Sequence, residues 1–144
     1  MDVILKKISC DEHGYFGDLQ TTSGSHLVFV GSHAYQGDEG SWDMKVQPGS
    51  YDCVRKPCRI MDGPNHTLGE FFESFEVEGV AGHTGILLGH KGNWPQIDSD
   101  GCFIFGLSIG VLNEQPAVMH SASAMLQFMG SQSGAPRFTL TVLA

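Results

Sequence analysis

In the stretch RFTLTVLA, residues 137–144, Phe138, Leu140 and Val142 alternate with Arg137, Thr139 and Thr141. A period of two puts the apolar set on one face of a strand and the polar set on the other. Shorter apolar runs bounded by Gly, Pro, Asn or Asp recur along the chain and predict further strands over 3–9, 15–21, 25–30, 50–54, 71–77, 84–88 and 102–105. One segment has a different period. In NEQPAVMHSASAMLQFMGSQSG, residues Val118, Met119, Ala122, Met125, Leu126 and Met129 recur at steps of three and four, which predicts a helix over about 117–129. Pro116 suits its first turn and Gly130 its C-terminal cap. The methionine-rich stripe reads as core packing across a sheet.

These elements predict a mainly β single domain, an antiparallel sandwich or partly open barrel of six to nine strands with one C-terminal α-helix. The chain of 144 residues is long enough to bury a core without staples. Residues 31–51, GSHAYQGDEGSWDMKVQPGSY, are too rich in Gly and polar residues to be regular throughout and predict either a functional segment or a long excursion between strands. There is no internal repeat and no linker.

Charge narrows the function classes. The formal net charge is −8, and the eight Lys and Arg cluster only at Lys6–Lys7 and at Arg55, Lys56 and Arg59. Phosphate backbones reward clustered cations, so nucleic acid is not an expected partner. No apolar run approaches the roughly 20 residues of a membrane span. The opening MDVILKKISC puts its lysines after the apolar residues, the reverse of a signal peptide, and reads as a first strand. Neither GxGxxG nor GxxxxGK[ST] occurs, so no nucleotide cofactor is expected.

Candidate chemistry concentrates in GHKGNWPQIDSDGCFIFG, residues 89–106. Metal binding has weak support: CVRKPC, with Cys53 and Cys58, lacks the second close pair that structural zinc uses, although His13, His26, His33 or His66 could complete a site in space. No metal and no other cofactor is expected. Asp98 and Asp100 are two apart, but Asp-Ser-Asp-Gly is also a good turn whose side chains bond the local backbone. Cys102, entering the apolar strand CFIF, is a candidate nucleophile. His90, at the end of TGILLGH, is its candidate base, and Asp98 or Asp100 could orient the imidazole. A buried, inert thiol fits the same letters.

The residues His90, Gly92, Asn93, Asp98, Gly101, Cys102 and Gly106, read as H-x-G-N…D-x-x-G-C-x-x-x-G, resemble the signature of the DUF5675 family of small bacterial and phage proteins. QPGSY, residues 47–51, and FEVEGVAGHTGILLGH, residues 75–90, resemble two further segments of that family. The local pattern is also similar, at a distance, to the S-H-G-C of L,D-transpeptidases, with Asp100 where those enzymes carry a histidine and Ile104 or Phe105 where they carry Arg or Asn. The resemblance implies two roles. In one, Cys102 attacks an amide carbonyl of a peptidoglycan peptide, His90 moves the proton, Asp98 orients it, and N–H groups near Gly101 hold the oxyanion. In the other, the chain is a non-catalytic virion or decoration protein, a homo-oligomer or a partner of capsid or tail proteins, found in the host cytoplasm or the assembled virion.

Overall fold

The computed structural model describes residues 1–60 and 70–144. Among them are twelve strands and two helices, in the order β1 (Val3–Asp11), β2 (Gly14–Thr21), β3 (His26–Ser32), β4 (Ala34–Gln36), β5 (Trp42–Met44), β6 (Gly49–Ile60), β7 (Glu70–Val77), β8 (Leu87–His90), α1 (Pro95–Asp98), β9 (Phe103–Gly106), β10 (Ser108–Leu112), β11 (Gln115–Met119), α2 (Ser121–Ser131) and β12 (Arg137–Val142). Eight strands close a barrel in the order β1-β12-β6-β7-β8-β9-β3-β2. The expected mainly β domain with a C-terminal helix is present, its barrel alternative closed into a ring of eight strands. Closure comes from β1 pairing in parallel with β12, Val3 opposite Leu140 and Leu5 opposite Val142. A closed sheet leaves no barrel strand with an unpaired edge.

The interior follows from alternation. Phe138, Leu140 and Val142 are buried, as are Val3 and Leu5 on β1, while their polar neighbours face outward. On β2 both faces are covered: Leu19 points into the barrel, and Phe16 packs outside it with Ile104 and Val118. That outer cluster exists because a hairpin, β10 and β11, lies on the barrel wall at Gly106. A Cβ on Gly106 would stand 2.7 Å from Val118 Cβ, so the close approach requires glycine there.

The segment 31–51 is regular only in part, as expected, with Ala34–Gln36 and Trp42–Met44 paired as a hairpin within it. Two expectations need correction. The helix starts later than its spacing implied: Pro116, Val118 and Met119 belong to β11, whose Val118 is opposite Ile109. Strand pairing overrides the three- and four-residue spacing at this point, and His120, with φ 60° and ψ 50°, turns the chain from strand into helix. A second helix, the single turn α1, was not foreseen.

Helix α2 plugs one end of the barrel with Ala124, Met125 and Phe128, whereas Leu126 of the predicted stripe is 77% exposed. The Phe128 ring meets those of Phe105, Phe138 and Phe75, with centroids 4.9, 5.9 and 6.3 Å away. The edge-to-face arrangement is one that aromatic quadrupoles favour. Phe128→Ala is expected to cost about 3–5 kcal/mol in urea unfolding, the range for a buried phenylalanine. Leu126→Ala is expected to stay within about 0.5 kcal/mol of the parent, as exposed positions do.

Candidate functional site

Strands β8 and β9 lie side by side in parallel, with Leu88 opposite Phe103 and His90 opposite Ile104. Cys102 and His90 thus sit on adjacent strands, as their candidate roles require, but at different levels. Cys102 is two residues before Ile104, which at about 3.3 Å per residue offsets it from His90 by roughly 7 Å along the strands. Each side chain has other partners. The Cys102 thiol accepts the Leu87 N–H at 3.4 Å and donates to the Gly85 carbonyl at 3.8 Å. His90 Nδ1–H donates to the Lys91 carbonyl at 2.7 Å, and its ring stands edge-on to Phe72.

Asp98 is committed elsewhere. Its Oδ2 accepts the N–H groups of Asn93 at 2.8 Å and Trp94 at 3.1 Å, satisfying donors that the first turn of α1 would otherwise leave open. Among the described residues no hydrogen bond joins Cys102, His90 and Asp98, so the structure does not assemble them into a relay. The expected oxyanion donor is also spent, since Gly101 N–H donates to Ser99 Oγ at 3.1 Å. Asp100 contributes its carbonyl, which accepts Lys45 Nζ at 2.5 Å and Tyr35 Oη at 3.1 Å.

Electrostatics point the same way. Burial pushes the Cys102 thiol above its ordinary value, and Asp100 adds to that. The Leu87 N–H and Lys45 oppose the shift without reversing it. A thiol raised in this way is protonated at neutral pH and a poor nucleophile.

The segment does have a dense polar network, carried largely by residues to which the sequence reading gave no role. Ser99 Oγ accepts from His33 N and Gly101 N and donates to the Cys102 carbonyl, while His33 Nδ1–H donates to the Ser99 carbonyl. Gln96 pairs with both backbone groups of Ala34, at 2.7 and 2.9 Å. Asn93 caps the outer edge of β11 by accepting Val118 N–H and donating Nδ2–H to the Val118 carbonyl. Trp94 Nε1 reaches Leu112 on β10. Ser121, the first residue of α2, accepts Gly92 N–H and donates to the His90 carbonyl. Residues 90–102 thereby tie β3, β4, both strands of the hairpin, and α2 to the parallel strand pair. The one available signal was the short polar side chain beside glycine in Asp-Ser-Asp-Gly, which marks a backbone-bonding turn.

The metal alternative finds no geometry either. Cys53 is inside the barrel, whereas Cys58 donates to the Lys56 carbonyl. His26 is paired with Asp18 and His33 with Ser99, and His66 lies outside the described residues. Among the described residues no three His, Cys, Asp or Glu side chains gather to hold a metal ion, and no helix is long and apolar enough to cross a membrane.

Comparison of the chain with family models, with curated proteins and with solved structures found no match.

Two measurements check the site. At pH 7.5 iodoacetamide should label Cys102 more slowly than a free thiol, with the rate still climbing above pH 9, because burial raises its pKa and delays thiolate formation. Cys102 labelling fastest of the four cysteines, with an apparent pKa below about 8.5, would refute the inert reading. Ser99→Ala should destabilise the fold by about 1–3 kcal/mol in urea titration, since it strands buried N–H groups.

Proposed function

We propose that this chain is a non-catalytic assembly protein, a component of a phage or prophage particle of the kind its DUF5675-like signature implies, and that it works through contacts between copies or with neighbouring capsid or tail proteins. The observation that carries this reading is the use of the signature segment. Asp98, Ser99, Asn93, Gln96 and the Cys102 thiol are all bonded to backbone within the fold, leaving among the described residues of this segment no pair of groups poised for acyl transfer.

The outer hairpin supports the same reading. Strand β10, Ser-Ile-Gly-Val-Leu, is paired on one side only and carries neither charge nor proline, the devices by which edge strands usually avoid association. Val111 on it is 71% exposed, and Ile97 on α1 is 69% exposed. An antiparallel edge is complementary to itself about a two-fold axis, so two copies can join through it without a new surface.

Native mass spectrometry at micromolar concentration should show a discrete oligomer that persists in Cys102→Ala and is weakened at least tenfold in Val111→Lys. A strict monomer that also binds no capsid or tail protein would overturn the proposal. So would Cys102-dependent cleavage or transfer on a peptidoglycan tetrapeptide, which would install the acyl-transfer enzyme in its place.

A further inference from the structure

The pairing of β10 with β11 fixes which backbone groups β10 offers on its other edge. In the hairpin Ile109 is opposite Val118, Gly110 opposite Ala117 and Val111 opposite Pro116. Val118 turns its backbone away from β10: its N–H goes to the Asn93 carbonyl and its own carbonyl takes Asn93 Nδ2–H, both at 2.9 Å. In an antiparallel ladder both residues of such a pair face outward, and the pattern repeats at every second residue. Ile109 and Val111 therefore hold their N–H and C=O groups toward the free edge. Pro116 agrees, because the residue opposite Val111 is the one with no N–H to give. Among the described residues nothing bonds to these backbone groups of Ile109 and Val111.

An open edge of this kind accepts another antiparallel strand. For a second copy of β10 the registers are not equivalent. Backbone bonds form only where outward residues oppose each other, so a two-fold axis must pass through a residue and not between two. An axis at Gly110 sets Ile109 opposite the partner's Val111 and Ser108 opposite the partner's Leu112, and all five residues of Ser108–Leu112 pair. An axis at Ile109 or Val111 pairs only three of them, and one at Ser108 or Leu112 fewer still. At the axis Gly110 meets its own copy as a non-hydrogen-bonded pair, where Cα atoms approach to about 4.5 Å and glycine brings no side chain to clash. The strand carries no charge, and the Glu114 side chains of the two copies fall at opposite ends of the joined pair, so the net charge of −8 is not concentrated at the seam.

We propose that two copies join through β10 about a two-fold axis at Gly110, giving a four-stranded sheet in the order β11-β10-β10-β11 across the seam. The inference rests on the assembly reading above and fixes its register. An isologous contact closes on itself, so this edge makes a dimer and neither a ring nor a filament. Any larger particle is built through a different surface of the dimer.

The test is oxidative cross-linking of the full chain with copper phenanthroline, read as a dimer band without reductant. In this register Gly110→Cys faces its own copy at a Cα separation that a disulfide spans. Ser108→Cys or Leu112→Cys puts its thiol about 14 Å along the strands from its own copy, out of reach. Gly110→Cys should cross-link at least tenfold more than the parent chain. Ser108→Cys and Leu112→Cys should each match the parent alone and cross-link to one another when mixed. A Cβ on Gly110 would stand 3.2 Å from Met119 Cγ, so the mixture, which keeps Gly110, decides the matter if Gly110→Cys fails to fold. In the unsubstituted chain, raising the concentration should slow amide exchange at Ile109 and Val111 at least tenfold. An oligomer that cross-links through Ser108→Cys or Leu112→Cys alone, that cross-links in neither Gly110→Cys nor the mixture, or that leaves both amides unprotected overturns this register while the assembly reading stands. A monomer that binds a capsid or tail protein does the same, and a monomer that binds neither overturns both.

Discussion

Two neighbouring strands that run in the same direction cannot be joined by a tight turn. The chain leaving β8 must travel back along the barrel before it can enter β9, and it does so in residues 91–102. A dozen residues is close to the shortest crossover that parallel pairing allows. So short a path on the barrel wall has no room for a long helix and buries part of its own backbone, whose N–H and C=O groups then need partners. The single turn α1, the Asp98 cap and the bonds made by Ser99 meet that need. The rest of the outer structure hangs on this crossover, because the β10–β11 hairpin, β4 and the start of α2 are all bonded to it.

That geometry explains what could be read from residues alone. The alternation in Phe138, Leu140 and Val142 is a local property, and it placed β12 with the correct face inward. The density of Gly, Asn, Asp and Ser in 89–106 marked a special loop, because short polar side chains and glycines are what a constrained backbone requires. The function of the loop was not local. Whether Cys102 meets His90 depends on the direction of pairing and on the irregularity between Leu88 and His90, neither of which leaves a mark on residue order. The hairpin of β10 and β11 was hidden for a different reason. Its turn uses Asn113 and Glu114, both at positive φ, in place of the glycine that usually signals such a turn. Val118 and Met119 also happened to fall in helical register with the stripe that follows.

A cysteine and a histidine in a glycine-rich loop invite a catalytic reading, whereas the surroundings of Cys102 favour its neutral thiol. Activation of a thiol needs a cationic or hydrogen-bonding environment that favours the thiolate. Cys102 has one favourable backbone N–H and the distant charge of Lys45, set against burial and the carboxylate of Asp100. The same sulfur bridges Leu87 and Gly85, so it holds the approach to β8 in place as a weak acceptor and donor. The backbone carbonyl of residue 100 anchors Lys45, whose ammonium lies over the Tyr35 ring and whose stem passes 2.9 Å from where a Cβ on Gly101 would stand.

The parallel pairing of β1 with β12 has a consequence for the history of each molecule. Residues 3–5 pair with β2 on one side and find the partners of their other edge only at 140–142, so the last seam of the barrel joins segments separated by almost the whole chain. Loop closure over that span comes late, and topologies dominated by such distant pairings acquire their native form slowly. Until β12 arrives, β1 and β6 each present an open flank to other nascent chains in the cell. For a chain that emerges from the ribosome one residue at a time, the interval between the emergence of β6 and that of β12 is the period of greatest exposure to misassembly and to chaperone capture.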